Sequence, residues 1–172
     1  MTEIGVNVTK SAITLQAGKG WTTVRRILIA VDESEASRRA ASFVEGFFHT
    51  DDVQITAVNV ARVPTEWLPP APYGGVYAWP SAPTADRTDV EEALTREQER
   101  GEAVASAQAP RGADVEAVFG ETVEAITRAA EDVNADLIVV GSNDKGFLER
   151  LFSGSVSEKL ARQAPCPVLV VP

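Results

Sequence analysis

Cysteine and histidine are almost missing from the 172 residues: Cys166 and His49 are the only examples of either. A lone thiol excludes an internal disulfide and any zinc cluster built on cysteine. Its position between Pro165 and Pro167, ahead of an apolar run, marks a structural thiol rather than a nucleophile. Basic residues are also scarce, 16 against 25 acids for a net charge of -9. That balance disfavours a nucleic-acid surface, because phosphate backbones demand clustered lysine and arginine. No apolar run approaches the roughly 18 residues of a membrane helix. The N-terminus, with Glu3 and Lys10 among scattered apolar residues, lacks the continuous apolar core of a secretory signal, so the expected compartment is the cytoplasm.

What is present is the composition of a globular chain, 44% hydrophobic and 24% charged, at a length suited to one domain. Residues 1–24 alternate weakly (Ile4, Val6, Val8, then Ile13 and Leu15) and read as an N-terminal extension, either a hairpin or a loose tail. From residue 25 to 172 strands and helices take turns. The run Ile27 to Val31 suits a strand buried on both faces. Ser34 offers an N-cap, and Ala36, Ala40, Phe43, Val44, Phe47 and Phe48 form the apolar stripe of a helix. Val53 to Val60 is a second strand, Asp114 to Phe119 a third, Leu137 to Val140 a fourth and Val168 to Val171 a fifth. Helices are expected from Val90 to about Ala109, weakened by Gly101, from Val123 to a C-cap at Asn134, and from Ser155 to about Ala164. The alternation predicts an α/β domain with a five-stranded, mostly parallel sheet and helices on both faces, its ligands at the carboxyl ends of the strands. Residues 62–89 interrupt the pattern. Six of the ten prolines fall there, with Trp67, Trp79, Tyr73 and Tyr77, so this loop suits a lid, a protein-partner surface or disorder. The acidic run Glu91 to Glu102 reads as a solvated helix face rather than a metal site. His49 falls at a helix end away from the expected crevice, which leaves Ser-His-Asp hydrolysis without a base.

The chemistry-bearing segment lies between the fourth strand and the last helix, from Gly141 to Glu158. Gly141 lets the chain turn off the strand, and Gly154 with Ser155 opens a helix whose free N–H groups and positive dipole end attract an anion. Ser155 and Glu158 also form a capping box, so the serine has a purely structural role available to it. Gly141 and Gly146 have P-loop spacing, but Phe147 and Leu148 stand where lysine and serine or threonine are required, and no G-x-G-x-x-G follows the first strand.

These segments, taken in order, resemble the universal stress protein family over most of the chain. The resemblance rests on Ile27-Leu28-Ile29-Ala30-Val31-Asp32 with Ser34, on Ala135 to Ser142, and on Gly154-Ser155-Val156-Ser157-Glu158-Lys159-Leu160 running to Cys166-Pro167-Val168-Leu169-Val170-Val171. It implies the adenine nucleotide alpha hydrolase-like fold and a stress-response regulatory module that binds ATP or AMP without fast turnover. By matching position, Ala30, Val31 and Asp32 would lie near the adenosine, Val60 beside the base, Val140 and Gly141 under the ribose and phosphates, and Gly154, Ser155 and Val156 around the phosphate oxygens. It also implies a homodimer made through the last strand. The chain departs from the nucleotide-binding pattern G-x-x-G-x9-G-[ST] at Asp144, which replaces the second glycine. A carboxylate about 4 Å from a phosphate is opposed by roughly 4 kcal/mol at a surface-like dielectric, which Lys145, Arg150 or a bound Mg²⁺ can offset. Two other functions stay open: a nucleotide-free interaction module of the same fold, and a slow ATPase, for which no residue is an evident base.

Overall fold

The computed structural model describes residues 6–9, 12–17, 20–48, 53–61, 87–142 and 156–172. The N-terminal alternation forms three short antiparallel strands rather than a hairpin: β1 (Val6–Thr9), β2 (Ala12–Ala17) and β3 (Gly20–Thr23). The third comes from Trp21, Thr22 and Thr23, residue types that favour the pleated surface.

The remaining elements are β4 (Arg26–Ala30), α1 (Glu35–Phe47), β5 (Gln54–Ala61), α2 (Arg87–Gln108), β6 (Asp114–Phe119), α3 (Thr122–Asp132), β7 (Leu137–Gly141), α4 (Val156–Gln163) and β8 (Val168–Val171). The last five strands make one sheet in the order β6-β5-β4-β7-β8, all parallel. The apolar runs of β4 and β7 follow from burial on two sides. Ile27 and Ile29 join Leu137 and Val139 in a core closed by α1 and α2, with Ala40, Val44 and Ala105. Leu28, Ile138 and Val140 face the opposite core, filled by Val123, Ile126 and Ala130 of α3 and Leu160 of α4. Each fully buried isoleucine or leucine contributes about 2 kcal/mol of transfer free energy.

Polar groups fix the ends. Asp136 accepts from the backbone N–H groups of Arg25 and Arg26 at 3.0 and 2.9 Å, and its own N–H donates to the Arg26 carbonyl at 2.8 Å, which aligns the starts of β4 and β7. Ser34 caps α1 by accepting from Ser37 N–H, as its position suggested. Glu121 caps α3 by accepting from Val123 and Glu124. The expected cap at Asn134 shifts by one: Val133 is the C-cap, and Asn134 follows it at φ 50, with the N–H groups of Asn134 and Ala135 donating to Glu131 and Ala130.

α2 begins at Arg87, so the segment read as loop 62–89 gives its last three residues to a helix. Residues 62–86, His49 and residues 143–155 lie outside the described residues. Gly101 does not break α2. A Cβ there would lie 2.7 Å from Ala117 Cβ, so its bareness lets the helix sit close over β5 and β6. Among the described residues no helix is long and apolar enough to cross a membrane.

Cys166 is half-buried beneath the sheet, where burial, reinforced by the Asp136 carboxylate, pushes its thiol up to about 11. A thiol raised from about 9 to about 11 holds roughly a hundredfold less thiolate at pH 8. Reaction with a disulfide reagent at pH 8 should therefore run about a hundredfold slower in the folded protein than after denaturation in urea; equal rates would contradict a structural thiol.

Candidate functional site

The chain order places a topological switch beside β4, where connections run outward to β5 on one side while β7 and β8 return on the other. Such a point leaves a crevice at the carboxyl ends of the strands. A cleft of about 710 Å³ opens there.

Its floor is built by the turn that follows β4. Val31 N–H donates to Val58 O at 2.8 Å, and Asn59 Nδ2 donates to Val31 O at 2.8 Å, so β5 holds Val31 from both ends of its peptide. Asp32 Oδ1 accepts from Ser34 N–H at 3.0 Å, while Asp32 N–H donates to Ser37 Oγ at 3.0 Å. These bonds turn the chain from strand into α1 within four residues. The far wall is β7. A Cβ on Gly141 would stand 2.2 Å from Ala36 O and 2.8 Å from Ser37 N, inside the first turn of α1. The glycine therefore serves a close approach of two backbones. That corrects the expectation of a sharp turn, since Gly112 and Gly120 are the glycines with positive φ among the described residues.

Ala30, Val31, Asp32, Val60, Val140 and Gly141 all line the cleft. Gly154 and Ser155, with Asp144, Lys145 and Arg150, lie outside the described residues, as do the side chains of Val156 and Glu158. Val156 opens α4, whose Leu160 reaches the cleft. Asp32, one of whose carboxylate oxygens holds the turn, has a structural role there.

Sequence reasoning missed Asn59, Ser37, Glu97 and Arg100. Asn59 had a signal, a lone amide inside the apolar run of β5, where a buried polar group must find a partner. Glu97 and Arg100 had none, because their place on the cleft wall depends on how closely α2 approaches β5 and β6.

An open, doubly wound sheet with a cleft at its switch point and a backbone-tight wall defines a parallel α/β fold. The chain belongs to the universal stress protein family, whose model matches residues 23–172. It is 33% identical over 151 residues to the universal stress protein in the QAH/OAS sulfhydrylase 3' region of Thermus aquaticus, covering 86% of this chain and 98% of that one. Over 161 residues it is 30% identical to the stress response protein NhaX of Bacillus subtilis, covering 85% and 96%. Among solved structures of this fold, a universal stress protein in complex with cAMP is similar at a TM-score of 0.54 and 21% identity, covering 88% of this chain and 98% of that one. An Arabidopsis thaliana family protein with AMP bound is similar at a TM-score of 0.50 and 16% identity, covering 86% and 90%.

Glycine substitutions separate the site's packing from helix propensity. Gly141→Ala should destabilise the fold by about 1–3 kcal/mol, as overpacking does. Gly46→Ala, in α1 with nothing within 4 Å of the added carbon, should stabilise it by about 0.5–1 kcal/mol. Urea midpoints that move in the same direction for both would refute the close-approach reading.

Proposed function

We propose that this protein is a stress-response regulatory module, acting in the cytoplasm, that holds an adenine nucleotide, ATP or AMP, in the switch-point cleft without fast turnover. The convergence of Ala30, Val31, Asp32, Val60, Val140 and Gly141 on one cleft carries the reading. The cleft's size falls within the range of about 300–1,000 Å³ typical of small-molecule sites. Its apolar strand ends suit a base and ribose, and the N-terminus of α4, the positive end of its dipole, suits phosphate. The ligands of the two similar structures, cAMP and AMP, support the same chemistry. Engagement of Asp32 in the turn favours retention of the ligand over hydrolysis. A second reading, a nucleotide-free interaction module, draws support from Asp144 in place of a family glycine and from the carboxylates of Asp32, Glu33 and Glu97 on the cleft wall.

The same proposal includes a homodimer through β8, with residues 1–24 as an extension of the domain and loop 62–89 as a further partner surface. β8 is an edge of the sheet, bonded on one side only, and Val168 to Val170 stay half-buried. Ile138 N–H donates to Pro167 O and Ser142 N–H to Val171 O, so the carbonyls of odd-numbered residues face β7. The N–H groups of Val168 and Val170 therefore point outward, a row that an apolar edge strand does not leave bare.

Calorimetric titration of nucleotide-free protein with AMP, cAMP and ATP, with and without Mg²⁺, tests the ligand. Micromolar binding is expected, lost in Gly154→Leu and strengthened in Asp144→Gly. No binding at millimolar nucleotide would leave the interaction module. For the dimer, Val170→Pro removes an outward N–H while sparing the β7 ladder, and light scattering should show the mass fall from two chains to one. A wild-type monomer at micromolar concentration would rule the edge-strand dimer out.

A further inference from the structure

α2 contributes a charged face to the cleft, because bare Gly101 brings the helix against the sheet: a Cβ there would stand 3.2 Å from Asn59 Oδ1 as well as against Ala117. Glu97 and Arg100, one turn apart, line the cleft with Val104. Against the carboxylates of Asp32, Glu33 and Glu97, Arg100 is the single cation of this wall among the described residues. Sequence offers no surplus to relieve it, since the segment 143–155 balances Asp144 and Glu149 with Lys145 and Arg150.

Arg100 also differs from its neighbours in having its charge at liberty. Arg96 is paired with Glu92 at 3.1 Å, Arg111 with Glu45 at 3.7 Å and Arg128 with Glu124 at 3.3 Å. Arg100 is exposed and has no ion pair or side-chain hydrogen bond among the described residues. It stands where the main cleft meets a shallower groove of about 480 Å³ between α1 and α2, lined also by Arg38 and Gln108.

We infer that Arg100 is a ligand-contacting specificity residue that supplies the positive charge for a phosphate-bearing ligand, so that the cleft takes a nucleotide in preference to the uncharged nucleoside. This rests on the nucleotide reading of the cleft. The guanidinium presents a planar fork of donors that matches phosphate oxygens two at a time. With three carboxylates nearby, its removal leaves a wall of one sign, which an anion must approach uncompensated.

The test compares AMP with adenosine, by calorimetry, on the full chain and its variants. In Arg100→Gln the AMP dissociation constant should rise roughly tenfold while that of adenosine stays within about twofold, and the weakening of AMP binding by added salt should diminish. Arg100→Lys, which keeps the charge but not the planar fork, should bind AMP with an affinity between those of the wild type and Arg100→Gln, and Arg100→Ala replaces the glutamine variant if that one proves unstable. Equal weakening of AMP and adenosine, an unchanged AMP affinity in Arg100→Gln, or a lysine variant as weak as the glutamine one would overturn the assignment alone. A wild-type chain that binds neither AMP nor adenosine would remove the nucleotide reading and this assignment together.

Discussion

Between Gly141 and Ala36 there is no space for a side chain, and the architecture around the cleft depends on that contact. The end of β7 meets the first turn of α1 backbone to backbone. With α1 seated there, its N-cap Ser34 comes four residues after the end of β4. Ser34 and Ser37 then have the reach to bind the turn from Val31, and Asp32 closes it. A larger residue at 141 would push the first turn of α1 away from the end of β7.

The central strands explain why so little else is needed to position the site. β4 is buried on both faces and paired on both edges, so its register against β5 and β7 is fixed by packing as well as by hydrogen bonds. Asp136 fixes the opposite end, drawing Arg25 and Arg26 N–H groups onto the start of β7. With both ends held, β4 and β7 end within a residue of each other, β5 runs three residues farther to Ala61, and the cleft is the hollow that the diverging connections leave there.

How much of this was legible follows from which forces are local. The strands could be read because two-sided burial writes continuous apolar runs such as Leu137 to Val140 into the sequence. Ser34 and Asn134 could be read, the latter one position out, because capping chemistry involves a residue and its near neighbours. The five strands of the parallel sheet followed, while the residues at their ends were named only through the family resemblance. What escaped was set by contacts distant in sequence. Gly101 looks costly by helix propensity, and only the approach of Ala117 and Asn59 shows what it is for. Arg100 and Glu97 look like members of a solvated charged run until α2 is laid on the sheet. The same held for β3, whose four residues carry too short an alternation to separate a third strand from a hairpin's tail.

The cleft and the exposed edge of the sheet are not independent. Ser142, the first residue beyond β7, donates its N–H to Val171 O at 2.8 Å, and its carbonyl accepts from Arg39 at 3.1 Å. The same guanidinium donates to the Pro172 carbonyl at 2.9 Å. Arg39 lies on α1, one helix turn beyond the Ala36 contact with Gly141. One side chain therefore links α1, the residue that follows β7 and the end of the chain beyond the edge strand. Any ligand that shifts the chain beyond Gly141 must move Ser142, and Ser142 cannot move without disturbing bonds to β8 and to Arg39. The hydrogen bonds of Ser142 and Arg39 thus join the end of β7, α1 and the edge of the sheet in one network.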